Sequence, residues 1–246
     1  MTTSSSLGKK ADEDSALDRV AKCNKLSQGH DLNLADLALC AVPSEVLSIS
    51  TLLKLNLRHN NLTNLPSVAQ FLAAKPHTIL CRVDLVESLP LLEVLNVAEN
   101  ALTNLPPDVG GLQKLRLLYA QSNHLRSLPL SLMSCAKLQE LYVQHNAIRE
   151  VPDEFAHLTS LSVLSLAHNN LEHLPTSLNA LTGLKVVDLS GNTLTSVPEL
   201  LRRLHEKHLV LHSREKRREL IKRALKVKTA VAASLKKQAR EVAKTM

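Results

Sequence analysis

The residues that could do chemistry are few and badly placed for catalysis. Cys23, Cys40, Cys81 and Cys135 stand singly, without the CxxC pairs that a zinc ribbon or redox dithiol requires. His145 and His168 are 23 residues apart, and His205, His208 and His212 could meet on a helix. No Cys or carboxylate completes a four-ligand metal set around either group, so they read as exposed polar histidines. The chain has 6 glycines and no GxSxG elbow, phosphate loop or GxGxxG turn. No Asp–His arrangement suggests a triad or dyad. Contact chemistry is better represented. The only two tyrosines are Tyr119 and Tyr142, and tyrosine gives broad contact area with a polar tip at low entropic cost. The C-terminal stretch is rich in Lys and Arg. Binding rather than catalysis, with no cofactor, is the expected activity.

The elements that must position these residues repeat. The segment from Leu52 to Pro66 returns from Leu92, Leu115, Leu138, Leu161 and Leu184, and the last five starts are each 23 residues apart. Asn60, Asn100, Asn123, Asn146, Asn169 and Asn192 form a complete column, as do Pro66, Pro106, Pro129, Pro152, Pro175 and Pro198. A divergent earlier copy keeps Leu32, Leu34, Leu39, Val42 and Pro43 in register. Leu37 takes its Asn position, which an end repeat with one neighbour tolerates. Strand periodicity turns Leu55, Leu57, Leu164 and Leu166 inward and Asn56 and Ser165 outward. The column asparagines would pair backbone groups otherwise buried without partners, as a ladder. The prolines would hold the opposite side extended and non-helical.

This LxxLxLxxNxLxxLPxx pattern resembles the leucine-rich repeat family over residues 29–212, most of all its cytoplasmic, 23-residue, proline-containing subclass, found in Ras-pathway scaffolds and small repeat-only proteins. The resemblance implies an α/β solenoid, a horseshoe with a parallel sheet on its concave face, and leaves the partner open. About seven repeats are expected. From Leu52 to Leu92 is 40 residues, so extra chain lies within 67–90. Its apolar Phe71, Leu72, Ile79, Leu80, Val83 and Leu85 suggest a packed insertion rather than a partner-binding one. Residues 1–28 are expected to comprise a disordered tail and a capping helix over 14–26 that buries Leu17, Val20 and Ala21. Leu209 and Leu211 resemble a shortened last strand. Residues 213–246 lack Gly and Pro and read as a long amphipathic basic helix, with Leu220, Ala224, Val227, Val231, Leu235 and Val242 on one stripe.

Two surfaces follow. The residue between the core positions of each strand gives Asn56, Asn96, Tyr119, Tyr142, Ser165 and Asp188, and two residues on come Arg58, Gln121 and Gln144. With strands about 4.8 Å apart, the two tyrosines should be neighbours on the concave face. The binding reading selects Tyr119, Tyr142, Gln121, Gln144, Asn96, Arg58, Ser165 and Asp188, rimmed by His59, Glu99, Ser122, Glu140, His145 and His168. The bland alternative is that Tyr merely suits a half-exposed strand. The second surface is the tail. Of 30 Lys and Arg, 15 follow position 198 together with 5 of the 23 acids, so that segment carries +10 and the rest −3. Lys222, Arg223, Lys226, Lys228, Lys236, Lys237 and Arg240 would serve an anionic partner, RNA or an acidic protein surface, unless the helix only caps the solenoid. The tail lacks the aromatics of base-stacking or interfacial membrane segments.

Aromatic residues make up 2% of the chain and Trp is absent, so any core must be aliphatic. No apolar run of about 18 residues occurs, so no transmembrane segment is expected. The start lacks an apolar signal region, and the unpaired cysteines suggest a reducing compartment, the cytoplasm, with the nucleus as alternative. The expected function is a non-enzymatic scaffold or adaptor gripping a protein partner with the concave face. The alternative is a structural subunit of a large ribonucleoprotein or cytoskeletal assembly, anchored by the basic helix.

Overall fold

The computed structural model describes residues 15–23, 30–66 and 88–195. All belong to the first of two compact units, Met1–Val210 and Leu211–Met246. Seven three-residue strands are β1 (Asp31–Asn33), β2 (Lys54–Asn56), β3 (Val94–Asn96), β4 (Leu117–Tyr119), β5 (Glu140–Tyr142), β6 (Val163–Ser165) and β7 (Val186–Asp188). They form one parallel sheet in sequence order. The inward aliphatic residue at each strand centre sets the register, because a slip of one residue would exchange the two faces. Leu32, Leu55, Leu95, Leu118, Leu141, Leu164 and Val187 align at one level, none more than 4% exposed.

The irregular spacing leaves the sheet intact. Leu55 pairs directly with Leu95 across those 40 residues. The Leu92 N–H donates to the Leu89 carbonyl as that of Leu52 donates to Ile49, so the repeat is regular again by Leu89. Phe71, Leu72, Ile79, Leu80, Val83 and Leu85, the expected packed insertion, lie outside the described residues.

The asparagine ladder forms as the repeat suggests. Each Oδ1 accepts from the preceding repeat: Leu62 N–H bonds Asn100 at 3.0 Å, Leu102 bonds Asn123 at 3.0 Å and Leu125 bonds Asn146 at 2.9 Å. Each Nδ2 donates to a carbonyl of the preceding repeat and to one of its own; for Asn123 these are Val97 at 2.9 Å and Ala120 at 3.2 Å. The buried turn is thereby satisfied with two-sided amides that no apolar side chain could replace. The ladder reaches backward, which explains why the first repeat dispenses with its Asn. Leu37, 5% exposed, sits there, and Asn60 Oδ1 accepts from both Leu37 and Leu39 N–H.

The opposite side corrects one expectation. Prolines here are extended, as with Pro129 at φ −66°, ψ 139°, but four of those described then open a 3-10 turn rather than extended chain. These turns are η1 (Ser44–Ser48), η2 (Val109–Gly111), η3 (Leu130–Ser134), η4 (Asp153–His157) and η5 (Thr176–Ala180). Pro43, Pro129, Pro152 and Pro175 stand directly before four of them. A fixed φ and a missing N–H suit proline at a helical start.

An α-helix, α1, covers 15–23. Its buried face is Ala16, Val20 and Cys23, at 0%, 3% and 6% exposure, whereas Leu17 is 40% exposed and Ala21 is also outside. Small side chains at this spacing let the helix approach β1, the first strand, which has a neighbour on one side only. Arg19 Nη1 donates to the Asn33 carbonyl at 3.1 Å and Cys23 Sγ to the Asp31 carbonyl at 3.8 Å. Covering a sheet edge in this way prevents it from pairing with another chain. The expected last strand at Leu209 and Leu211 and the helix over 213–246 lie outside the described residues. No described helix is long and apolar enough to cross a membrane.

Candidate partner-binding face

The outward strand positions assemble the face that the sequence suggests. Their third positions run Asn33, Asn56, Asn96, Tyr119, Tyr142, Ser165 and Asp188, partnered strand by strand. Tyr119 and Tyr142 stack with ring centroids 5.0 Å apart and planes 6° from parallel. Strand spacing explains the distance, since parallel strands in register hold equivalent side chains about 4.8 Å apart. The Tyr142 hydroxyl donates to Glu140 Oε2 at 3.0 Å. Burial pushes the Tyr142 phenol up to about 12, helped by that hydrogen bond and by the charges of Glu140 and Tyr119. Burial, then the Glu140 charge, also raises Tyr119. Both rings therefore present neutral hydroxyls near neutral pH.

The other predicted residues divide into free and occupied groups. Asn56, Asn96 and Asp188 each use a side-chain oxygen to accept the N–H two residues on, at 3.1, 3.1 and 3.0 Å. Such Asx turns start the bend off the strand. Arg58 is held by Glu99 Oε1 through Nη2 at 2.8 Å and Nε at 3.1 Å. Gln121 and Gln144 are half-buried, and the Oε1 of each is enclosed without a hydrogen-bond partner. Ser165 occupies the outward register but is only 7% exposed, lower than the expected outward-facing residue, because its small side chain sits between larger neighbours.

The backbone conformation of one rim column was not legible in the sequence. Asp36, His59, Glu99, Ser122, His145, His168 and Gly191 all have φ between 52° and 71°. Each stands just before the ladder position, where left-handed backbone swings the chain so that the next residue points inward. Side-chain type does not announce this position, since only Gly191 is free of the steric penalty. The column also stacks the exposed His145 and His168 rings at 4.4 Å and 6°. Among the described residues no three His, Cys, Asp or Glu converge to hold a metal ion. An open groove of about 670 Å³ on the turn side, lined by Arg149, Glu150, Asn170, Glu172 and His173 among others, was also not foreseen. Its mixed charges carry no sequence signal. Lys222, Arg223, Lys226, Lys228, Lys236, Lys237 and Arg240 lie outside the described residues.

Comparison with known proteins agrees with this geometry. A family model described as leucine rich repeat matches residues 136–194. A solved structure, a leucine-rich repeat protein of Leptospira interrogans, is similar at 26% sequence identity and a TM-score of 0.58. The match covers 76% of this chain and 49% of that one, so the chain spans about half the length of that relative. No curated protein matches. Both findings support a leucine-rich repeat fold for the described residues. The family's fold generally serves protein interaction, and its members are typically interaction modules rather than enzymes.

Proposed function

We propose that this protein is a non-enzymatic scaffold or adaptor that binds a protein partner through the outer face of its sheet. The observation that carries this is the Tyr119–Tyr142 stack, a paired aromatic surface in the middle of the sheet whose ring planes the strands hold parallel. Stacked tyrosines are already immobilised, so a partner gains contact area without ordering them, as interface hot spots require. The 23-residue spacing and its prolines favour the cytoplasmic subclass. The free thiols of Cys23, Cys40 and Cys135 suit a reducing compartment, the cytoplasm or nucleus.

The test compares partner recovery by wild type and by Tyr119→Ala/Tyr142→Ala. Loss of the partner by a variant that still folds and unfolds cooperatively is expected, whereas undiminished recovery would overturn the proposal. A second reading rests on the +10 charge after position 198, which would anchor the protein to RNA or an acidic protein surface within a larger assembly. Its mark would be co-sedimentation that salt abolishes and that truncation after Ser213 removes.

A further inference from the structure

The outer face is electrostatically divided. Across β1 to β4 its charges are paired internally, Lys54 with Asp31 at 2.7 Å, Arg58 with Glu99 at 2.8 Å and Arg116 with Glu93 at 3.5 Å, and the Asp36 carboxylate lies 2.6 Å from the His59 ring nitrogen. Across β5 to β7 the carboxylates of Glu140 and Asp188 have no cation within 4.0 Å among the described residues. Each keeps acceptor capacity. Glu140 spends Oε2 on the Tyr142 hydroxyl, and Asp188 spends Oδ1 on the Ser190 N–H.

These carboxylates flank a notch. Tyr119 covers one face of the Tyr142 ring, and the other face looks toward β6. There the register places only Ser165, and beyond it Asp188. Tyr142 and Asp188 stand two strand spacings apart, about 9.6 Å, with a hydroxymethyl group as the floor. Ser165 is more than nine-tenths buried, at 7% exposure. Nearby, the enclosed Gln144 Oε1 is an acceptor without a donor. The notch therefore combines an aromatic wall, two unneutralised carboxylates and a spare acceptor. A guanidinium has the complementary properties: a planar cation that stacks on aromatic rings and carries five donors and no acceptor.

We propose that the notch formed by Tyr142, Ser165 and Asp188, with Glu140 beside it, receives an arginine side chain of the protein partner. The guanidinium lies against the free face of Tyr142 and donates to Glu140 and Asp188. This rests on the outer face being the partner surface, and it adds the chemistry that the face selects.

The test titrates the isotope-labelled full chain with the capped tripeptide Gly-Arg-Gly, followed by amide chemical shifts. Saturable shifts centred on Tyr142, Gln144, Ser165 and Asp188 are expected. Replacing arginine by citrulline, which keeps the shape and loses the charge, should abolish them, and lysine should bind more weakly. Asp188→Asn preserves the oxygen that accepts the Ser190 N–H, so the fold is retained and affinity should fall about tenfold, the equivalent of one lost charge-assisted contact. Equal binding of the citrulline or lysine peptide, or arginine shifts gathered instead at Glu150 and Glu172, would overturn the assignment. The two proposals fail separately. If Tyr119→Ala/Tyr142→Ala loses the partner while the arginine peptide ignores the notch, only the arginine assignment falls. If the peptide binds the notch while partner recovery survives that double substitution, the face reading falls and takes the partner's arginine with it, leaving only the notch's affinity for a guanidinium.

Discussion

Tyr119 and Tyr142 are the only tyrosines of a chain without tryptophan, so their ionisation can be followed by near-ultraviolet absorbance without interference. Burial first, then the hydrogen bond to Glu140 and the charges of Glu140 and Tyr119, place Tyr142 at about 12, and Tyr119 is raised too. Both transitions should therefore lie above the ordinary tyrosine value of about 10. Glu140→Gln should bring Tyr142 down without restoring the ordinary value, since burial remains. A phenol whose folded pKa is raised binds its proton more tightly when folded. Its contribution to stability is thus complete below about pH 10 and is lost as pH rises toward 12. Unfolding midpoints should decline across that window, and Glu140→Gln should lessen the decline. Two ordinary titrations would show that burial and Glu140 do not hold the phenols as described. The adjacency of the two rings was legible in the sequence, because an unbroken repeat from Leu115 to Leu161 puts equivalent residues on neighbouring strands. The left-handed column beside them was not, because His, Glu, Ser and Asp carry no common mark of positive φ.

The strands and the ladder were readable because their residues are chemically distinctive: Leu must go inward, and a buried turn needs a two-sided amide. The opposite side was harder to read. A 3-10 turn of five residues or fewer has no sustained period, and proline suits extended chain and a helical start equally. The face of α1 was misjudged for a related reason. Weighing residues by hydrophobicity picks Leu17, whereas close approach to β1 picks Ala16, Val20 and Cys23. The turns also carry a constraint absent from the repeat pattern. A Cβ at Gly110 in η2 would collide with the Ser131 carbonyl oxygen in η3. That contact is backbone against backbone, so the two turns must part to admit it. Gly183 offers a control, since a Cβ there meets the Leu161 and Thr159 carbonyl oxygens at an ordinary 3.5 Å. Gly110→Ala should cost about 2–3 kcal/mol, the usual scale of overpacking. Gly183→Ala should be neutral or stabilising by about 0.5 kcal/mol, through the less flexible unfolded chain. Denaturant midpoints measure both, and equal effects would contradict the close approach of η2 and η3.

At the scale of the stack, stability should pass only between neighbouring repeats, since each repeat packs on those beside it. The strands pair in sequence order, and η4 packs against η3 and η5. The extra chain between β2 and β3 does not interrupt this order, so neither half of the sheet is isolated by sequence spacing. Among the described residues, Phe155 is the one large aromatic with a fully buried side chain. Val109, Leu132 and Leu178 occupy the equivalent buried place in the other turns. The turn side near β6 is thus filled by a single ring where its neighbours use aliphatic groups. Phe155→Ala should cost about 3–5 kcal/mol through lost burial and an unfilled cavity, whereas Phe155→Leu, the type found in the flanking turns, should cost less than about 1.5 kcal/mol. The consequence should be uneven. Hydrogen exchange in Phe155→Ala should accelerate first in the repeats of β6 and β7, which are left with one weakened interface, while β3 and β4 keep their protection because their own interfaces are unchanged. In denaturant, the single unfolding step should broaden or divide. Uniform acceleration across all repeats would show instead that the stack unfolds as one cooperative body, with coupling stronger than the loss of its largest core side chain.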